Sequence, residues 1–497
     1  MTLLRLVSAI SLFSVSTLVP TLSFAGESGV SGYLPLNQNT LLESHVNRIM
    51  IAAELGAVKR PYAINTIKKA VAKVCLLEQR GQPAIQKGCL EINKYLKQTG
   101  KKLYVNHASL DLRIKEQTGL YSSQPEMTLK NQRGEAFNSS WSVQAQGVFN
   151  VNNYLMLSGG AKAWKGDSNL EDTYVSIGLP QAQLDIGYKP HWLSPFKQSA
   201  MLLSTHAPTF ANISLSNNTP LTSWNINYEL FAGELSETNN ISFGGKLTSG
   251  KPLLTGLHVS ASPFDGFTLA VNRIFQSGGD ERGTPSLKEI FEAFIDPSGS
   301  DNTNVDLNSD EEFGNQAASI VSRFDFIGSV PFSVYFEYAG EDTSRGTNYR
   351  LGNSSISAGV DLPIVFKTLS INYEYSQWQN AWYAHHVYRD GLQNDASLIG
   401  HFAAEQRLRT ASIAGDAIGS THHNITVGWQ IAPQDRLVFN FNQTKNEPLS
   451  SFDYVTGRQL ELTWYSHIDE FPATLTFLTG KNTLAEKHTG LTLSVAW

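Results

Sequence analysis

One stretch of this chain concentrates side chains that could bind sugars. A polysaccharide site needs flat apolar rings to stack on sugar faces and planar groups to hydrogen-bond hydroxyls, and arginine adds a fork suited to uronic-acid carboxylates. Residues 377–421 supply these groups in Trp378, Trp382, Tyr383, His385, His386, Tyr388, Arg389, Asp390 and His401. Residues 190–221 add His191, Trp192 and His206. We therefore predict a carbohydrate-binding surface formed by these two segments.

The same side chains have a second interpretation. Trp378 and Trp382 could belong to an aromatic girdle at a membrane interface, where amphipathic rings are enriched. The remaining residues could then pack loops over the mouth of a pore. The sequence leaves both interpretations open.

Two histidine pairs, at 385–386 and 422–423, raise the question of a metal site. Neighbouring side chains on a strand point to opposite faces, so adjacent histidines there are poor chelators. The acidic segment 296–312 has Asp301 and Glu312 at the first and twelfth positions of a calcium loop. Its third, fifth and sixth positions, however, are Thr303, Val305 and Asp306 instead of two oxygen ligands and glycine. We expect no cofactor and no dedicated metal site, and leave open whether a divalent ion bridges the acidic loop.

Catalytic motifs give no support for an enzyme. The chain has neither a G-x-S-x-G nucleophile motif nor an H-E-x-x-H zinc motif. His385, His386, Asp390 and Ser397 could be combined into a hydrolase site at a barrel rim, but no pattern orients them. We therefore predict that the protein is not an enzyme.

The end of the chain indicates which elements carry these residues. Leu491-Thr-Leu-Ser-Val-Ala-Trp497 alternates apolar with small or polar side chains and ends on an aromatic residue. In lipid every backbone polar group must be paired within the protein, so a membrane strand survives only in a closed sheet with one apolar face. The same alternation recurs at residues 224–230, 332–338, 369–375 and 437–442.

The repeated pattern predicts a mainly β protein, an 18-stranded antiparallel transmembrane β-barrel. Short links alternate with longer ones along most of the chain, as periplasmic turns and extracellular loops do in such barrels. The long extracellular loops are predicted at 190–221, 277–318 and 377–421. Candidate strands begin near residues 103, 139, 153, 171, 181, 222, 240, 253, 267, 319, 331, 354, 367, 422, 435, 457, 471 and 489.

Composition agrees with a membrane-embedded barrel. Charged residues make up only 16% of the chain, below the ~25% usual for soluble domains, and aromatic residues make up 10%. The formal net charge of −6 gives no reason to expect nucleic acid as a partner.

The first hundred residues differ from the rest. Residues 1–25 predict a signal peptide: Arg5 precedes an apolar stretch shorter than the ~20 residues that a membrane helix needs, and small residues follow. Residues 26–100 show helical spacing and predict a small periplasmic helical domain. Cys75 and Cys89 lie close together in this exported segment, so we predict a disulfide between them. Residues 101–497 would form the barrel.

At this point the sequence resembles the Wzi-type outer-membrane proteins of capsule assembly. The resemblance rests on Leu184–Pro195 with Met201–Pro208, and on Tyr383–Gly391 followed by Ile399-Gly-His401. Leu193, Ser194 and His206 depart from the Trp, Gly and Asn of the family pattern. The resemblance implies an eighteen-stranded barrel with a periplasmic helical bundle that acts as a lectin for capsular polysaccharide.

Two functions follow as rivals. The first is a non-enzymatic lectin with an occluded barrel that attaches or organises capsular or extracellular polysaccharide at the outer membrane of a Gram-negative bacterium. Its expected partners are this polysaccharide, outer-membrane lipid and the outer-membrane insertion machinery, with the protein as a monomer. The alternative is a diffusion porin or substrate-specific channel, because eighteen strands leave room for an aqueous lumen. The N-terminal helices favour the lectin, since simple porins begin directly with a strand.

Overall fold

The computed structural model describes most of the chain. The described residues are 29–36, 40–75, 83–119, 128–135, 139–296, 312–328, 330–344, 347–408, 417–432, 434–448 and 452–497. The predicted signal peptide, residues 1–25, and nearly all of the acidic segment 296–312 lie outside them.

Three helices precede the sheet, as the helical spacing predicted. They are α1 (Thr40–Ala52), α2 (Ile64–Cys75) and α3 (Pro83–Thr99). Their apolar faces meet in one cluster that includes Val46, Ile49, Ile67, Val74 and Ile92, all of them buried. Burial of this shared face holds the helices together, because isolated helices of this length are marginal in water. No helix among the described residues is long and apolar enough to span a lipid bilayer.

The predicted disulfide between Cys75 and Cys89 is confirmed, and it ties the end of α2 to α3. We expect the Cys75→Ser/Cys89→Ser variant to lower the free energy of unfolding of the helices by ~3 kcal/mol, the value for a closed loop of this size. Limited proteolysis in detergent measures this, because α2 and α3 should be cleaved sooner while the barrel fragment persists. Equal cleavage rates in the parent and the variant would contradict the prediction.

The rest of the described chain consists mainly of antiparallel strands joined by turns and long loops. Its strands are β1 (Leu103–Thr118), β2 (Trp141–Asn152), β3 (Leu155–Trp164), β4 (Asp167–Leu170), β5 (Thr173–Leu179), β6 (Ala182–Tyr188), β7 (Ala211–Ser216), β8 (Asn227–Glu234), β9 (Thr238–Phe243), β10 (Lys246–Gly250), β11 (Leu253–Phe264), β12 (Phe267–Ser277), β13 (Gly314–Phe326), β14 (Phe332–Ser344), β15 (Thr347–Val365), β16 (Leu369–Trp378), β17 (Gln393–Asn394), β18 (Ser397–Leu398), β19 (Ser420–Gln430), β20 (Arg436–Asn446), β21 (Gly457–Ile468), β22 (Phe471–Lys481) and β23 (Lys487–Ala496). A further helix, α4 (Leu287–Ile295), lies between β12 and β13.

The sheet closes on itself. The first strand, β1, pairs with the last, β23, in a register that sets Leu110 opposite Val495. Strand β3 pairs with both β4 and β5, so these two short strands together form one position in the wall. The hairpins β9–β10 and β17–β18 are separate small sheets. The wall therefore has the predicted eighteen antiparallel strands and no open edge.

The predicted number is correct, although one predicted strand lies outside the wall and one strand of the wall was not predicted. The strand predicted to begin near Asn240 is β9, which belongs to a hairpin outside the wall. The wall instead contains β7, which lies inside the predicted loop 190–221. Because β7 has only six residues, its alternation is too short to stand out from a loop. Residues 235–252 consequently form one long connection between β8 and β11.

Side chains of the wall alternate as a membrane barrel requires. The outward face is apolar and exposed, whereas the inward face is polar and buried. On β23, for example, Leu491 and Leu493 face outward, and on β12 so do Leu269 and Val271. Inward-facing residues include Gln183, Asp185, His258, Asn272, Ser319, Glu337, Asp361 and Asn372.

The short links between wall strands lie at one end of the barrel, and the long links lie at the other end. Residues 153–154, 180–181, 265–266, 366–368 and 469–470 are turns at one end, which we call the turn end. The long links 189–210 and 235–252, and the described parts of the links after β12 and β16 (278–296, 312–313, 379–408 and 417–419), lie at the opposite end, which we call the loop end. The chain enters β1 at the turn end, so helix α3, which leads into β1, ends there.

The N-terminal segment also enters the bore. We call residues 29–36 and 40–63 the plug. Its polar groups bond inward-facing groups of widely separated strands, which holds the plug inside the ring. These bonds run from Ser31 N to Gln183 Oε1 (2.8 Å), from Tyr33 Oη to Asp185 Oδ2 (2.7 Å), from Asn47 Nδ2 to Asp361 Oδ2 (2.8 Å) and from Arg323 Nη1 to the Ala57 carbonyl (3.1 Å).

A loop descends from the loop end to meet the plug. Residues 189–210, here called the inner loop, carry Trp192, whose backbone exchanges two hydrogen bonds with Arg60 of the plug at 2.9 and 3.0 Å. The Arg60 guanidinium also lies 4.4 Å above the Trp192 ring. The plug and the inner loop thus fill the bore beside strands β5 to β16.

A buried ion network lies where the plug, the inner loop and the wall meet. Glu229 of β8 lies 2.9 Å from Lys59 Nζ, 3.1 Å from Lys189 Nζ and 2.9 Å from His191 Nδ1. Lys189 also contacts Asp185 at 2.9 Å. Every member except Lys59 is almost completely buried, so each charge depends on its partners instead of water.

The other side of the bore is hollow. A cavity of about 810 Å³ lies between the plug and helix α3 on one side and strands β1, β2 and β21 to β23 on the other. It reaches from Trp497 at the turn end to Arg133 beside the outer connection after β1. Charged side chains of both signs line it, among them Arg113, Lys130, Lys162 and Glu135.

Candidate functional site

The loop 379–419 forms the main cover at the loop end. Trp378, Trp382 and Tyr383 are at most 1% exposed and lie in one apolar cluster with Met201 and Leu203 of the inner loop. Tyr388 is equally buried, and its hydroxyl donates to the Gly278 carbonyl at 2.9 Å. These four predicted stacking residues therefore form the core of the loop, and their ring faces are not accessible in this structure. Carbohydrate binding by them stays a prediction.

Tyr383 joins three parts of the cover. Its backbone N–H donates to Glu341 Oε1 at 2.6 Å, and its hydroxyl donates to the Met201 carbonyl. The same hydroxyl accepts from the His401 N–H at 2.7 Å. A Cβ on Gly400 would lie only 2.2 Å from this hydroxyl, so the position requires glycine. The glycine of the Ile399-Gly-His401 segment is thus explained by the close approach of Tyr383 and Gly400, which belong to one loop.

The hairpin β9–β10 packs against the same loop. The Arg389 N–H donates to the Asn240 carbonyl at 3.0 Å, and the Ser242 N–H donates to the Val387 carbonyl at 2.8 Å. Asp390 accepts from Asn240 Nδ2 at 2.8 Å. The carboxylate of Asp390 therefore positions the hairpin, a role that the sequence did not indicate.

Two of the predicted residues remain accessible on this surface. Arg389 is exposed, and its Nε donates to Ser242 Oγ at 3.1 Å. The His386 side chain is 39% exposed. Arg282 lies nearby, donating to the Ser242 carbonyl and lying over the Phe243 ring. Sequence reasoning missed both residues. Ser242 lies on β9, which was assigned to the wall, and Arg282 lies in the link after β12, whose packing against the hairpin no pattern indicates.

His191 and Trp192 lie elsewhere. His191 stacks on Phe231 with 4.4 Å between ring centroids and contacts the buried Glu229, while Trp192 packs under Arg60. Both are inside the bore, so they contact the plug and do not share a surface with Arg389. The prediction that the two segments form one accessible surface is not met for these two residues.

Glu312 brings the adjacent histidines together. Its Oε1 lies 2.9 Å from His385 Nε2, and its Oε2 lies 2.6 Å from His386 Nε2. Burial favours the neutral acid, but the two histidines more than offset this and lower the pKa of Glu312 to about 2. The argument that adjacent histidines diverge was wrong here, because residues 385 and 386 lie between strands and both rings face one carboxylate.

The fold and its surface define a class of protein. A closed antiparallel wall with an apolar outer face, a polar bore and long loops at one end is a transmembrane β-barrel of the bacterial outer membrane. Its interior filling and structured cover distinguish it from an open pore.

The chain belongs to the Wzi capsule assembly family. The family model described as "Capsule assembly protein Wzi" matches residues 109–410, more than half of the chain, as the sequence resemblance predicted. A search of curated proteins finds no significant match.

One solved structure supports the fold, and two others give lower similarity scores. Wzi from Escherichia coli, described as an outer-membrane protein involved in group 1 capsule assembly and as a carbohydrate-binding β-barrel, superposes with a TM-score of 0.68 at 14% identity, covering 95% of this chain and 99% of that one. OccAB4 from Acinetobacter baumannii gives 0.46 at 8% identity, covering 80% and 98%. OccK11 from Pseudomonas aeruginosa gives 0.47 at 10%, covering 79% and 95%.

Proposed function

We propose that the protein is a non-enzymatic lectin that attaches or organises capsular or extracellular polysaccharide at the cell surface. The observation that carries this proposal is the difference between the bore of the barrel and its loop end. The plug and the inner loop fill the bore beside strands β5 to β16, whereas the loop end presents an ordered polar surface around Arg389. Buried aromatic residues hold that surface in place, and a pre-ordered surface loses less freedom on binding.

The binding surface has the chemistry of an acidic glycan site. Arg389 and Arg282 both lie beside Ser242, so two guanidinium groups can reach the carboxylate of a uronic acid. The half-exposed ring of His386 adds a hydrogen-bonding group at the same face. These residues replace the buried aromatic ones as the direct contacts in our proposal.

We expect Arg389→Ala to weaken binding of the purified protein to the host's own capsular polysaccharide by about tenfold, because a hydrogen bond to a charged group contributes ~1.5–3 kcal/mol. Surface plasmon resonance against the host capsule and unrelated glycans measures this. Arg458→Ala is the matched control, because Arg458 is also exposed and makes one hydrogen bond, to Gln443 at 3.2 Å. Equal affinities of the two variants would contradict the proposed surface.

The placement of the chain follows from the same proposal. With the loop end outside the cell, helices α2 and α3 lie on the periplasmic side, and residues 1–25 act as the export signal. The predicted periplasmic domain of residues 26–100 is thereby shortened, because its first part, the plug, lies in the bore. The oxidising periplasm agrees with the disulfide of the helical domain. We further propose that the barrel functions as a monomer after delivery by the outer-membrane insertion machinery.

One observation favours a channel as the second candidate. The 810 Å³ cavity runs beside the plug and is lined by charged groups, as a path for small hydrophilic solutes would be. Planar-bilayer conductance separates the candidates, since large steady currents from the full-length protein would favour the channel.

A further inference from the structure

We propose that Glu312, His385 and His386 form a binding site for a divalent transition metal, with zinc as the best match. The site would connect the two largest loops at the loop end, because Glu312 closes the link after β12 and the histidines belong to the loop after β16. Nothing in the glycan-binding proposal requires it, and it stands or falls separately.

The ligand atoms converge. One oxygen or nitrogen from each of the three side chains lies within 4.8 Å of the other two, and the two imidazole rings have centroids 4.6 Å apart. A tetrahedral zinc ion with bonds of 2.0–2.1 Å holds its ligand atoms about 3.4 Å apart. Small side-chain rotations therefore suffice to convert the present contacts into coordination.

The donor set suits zinc. Two imidazole nitrogens and one carboxylate oxygen are the three-ligand combination of open zinc sites, in which water completes the tetrahedron. Imidazole ligands favour zinc, copper or nickel over magnesium or calcium, which prefer oxygen alone.

Burial supports a built site. Glu312 and His385 are almost fully buried, while the His386 side chain is 39% exposed and offers an entry path. Each carboxylate oxygen already faces one imidazole nitrogen, Oε1 at 2.9 Å from His385 Nε2 and Oε2 at 2.6 Å from His386 Nε2. A cation bound between the three side chains would be coordinated by these same atoms.

One contact opposes metal binding. The Val387 N–H donates to His385 Nδ1 at 3.2 Å, which leaves the ring proton on Nε2. Coordination through Nε2 moves that proton to Nδ1 and breaks this hydrogen bond. A single neutral hydrogen bond contributes only ~1 kcal/mol, far less than zinc coordination supplies.

The test uses the purified full-length protein in detergent, with zinc chloride as the probe. Isothermal titration calorimetry should show one zinc ion per chain, and cobalt should give the visible absorption of a tetrahedral site. His386→Ala should lower the zinc affinity at least tenfold, and His386→Cys should restore it, because thiolate is also a zinc ligand. A purely structural role for His386 would not predict that rescue.

His423→Ala is the matched control, because His423 is a partly exposed histidine whose Nδ1 contacts Tyr373 Oη, outside the cluster. It should bind zinc like the parent protein. Glu312→Gln is a second variant and should also lose the site. The proposal is overturned by the absence of stoichiometric zinc in the parent protein, or by unchanged affinity in both His386→Ala and Glu312→Gln.

Discussion

The Glu229→Gln variant is expected to lose about 3–5 kcal/mol of its free energy of unfolding, the range for removing one partner of a buried ion pair. Glu229 faces three cationic or titratable groups, Lys59, Lys189 and His191, at 2.9–3.1 Å. Without the carboxylate, Lys189 keeps Asp185 and the Ser214 hydroxyl, and Lys59 keeps only an uncharged partner in the wall, the Tyr228 carbonyl. These groups come from the plug, the inner loop and β8. Loss of the Glu229 carboxylate should therefore weaken the packing of these three parts against one another.

Urea titration of the protein in lipid vesicles, followed by tryptophan fluorescence, measures this difference. Glu234→Gln is the matched control, since Glu234 ends the same strand and pairs with the exposed Lys251 at 3.2 Å. An exposed pair contributes at most ~1 kcal/mol. If the two variants were equally stable, the network around Glu229 would not be the link between the plug and the wall.

A variant that lacks residues 29–99 is expected to conduct ions, with a conductance on the order of tenfold above that of the full-length protein. Barrels of sixteen to eighteen strands leave an aqueous channel when nothing fills them. The deletion removes the plug and the helices, whose contacts with Asp185 and Asp361 would be replaced by water. In the full-length protein the plug leaves a cavity of about 810 Å³ beside it.

Single-channel recording in planar bilayers measures the two conductances. Deletion of residues 238–250 is the control, because it removes the hairpin β9–β10, which is outside the wall, and leaves the plug in place. That variant should remain as closed as the full-length protein. Equal conductance with and without residues 29–99 would mean that the plug does not limit flow.

The wall was predictable because lipid imposes a simple rule on every strand. Outward positions such as Leu491 and Leu493 must be apolar, and inward ones can be polar, so a period of two survives in the sequence. The rule fails for short strands. The six residues of β7 carry too little alternation, whereas β9 alternates although it lies in a loop.

The candidate site was predictable in composition but not in exposure. Residue types showed that the loop 379–419 combines aromatic and polar groups, yet they could not show which ring faces would be covered. Tyr383 is covered by Met201, which is 182 residues away, and by Gly400 of the same loop. The convergence of His385 and His386 on Glu312 likewise depends on a loop conformation that no periodicity encodes.

The plug limits how far the circumference of this barrel could vary. The plug touches Gln183 on β6, Arg323 on β13 and Asp361 on β15, which are fixed points spread around the circumference. Inserting or deleting one hairpin between these strands would change the circumference of the barrel. The three wall residues would then move away from their hydrogen-bond partners in the plug. A barrel with an empty bore tolerates such a change more readily. The contacts between the plug and the wall therefore hold the strand number at eighteen.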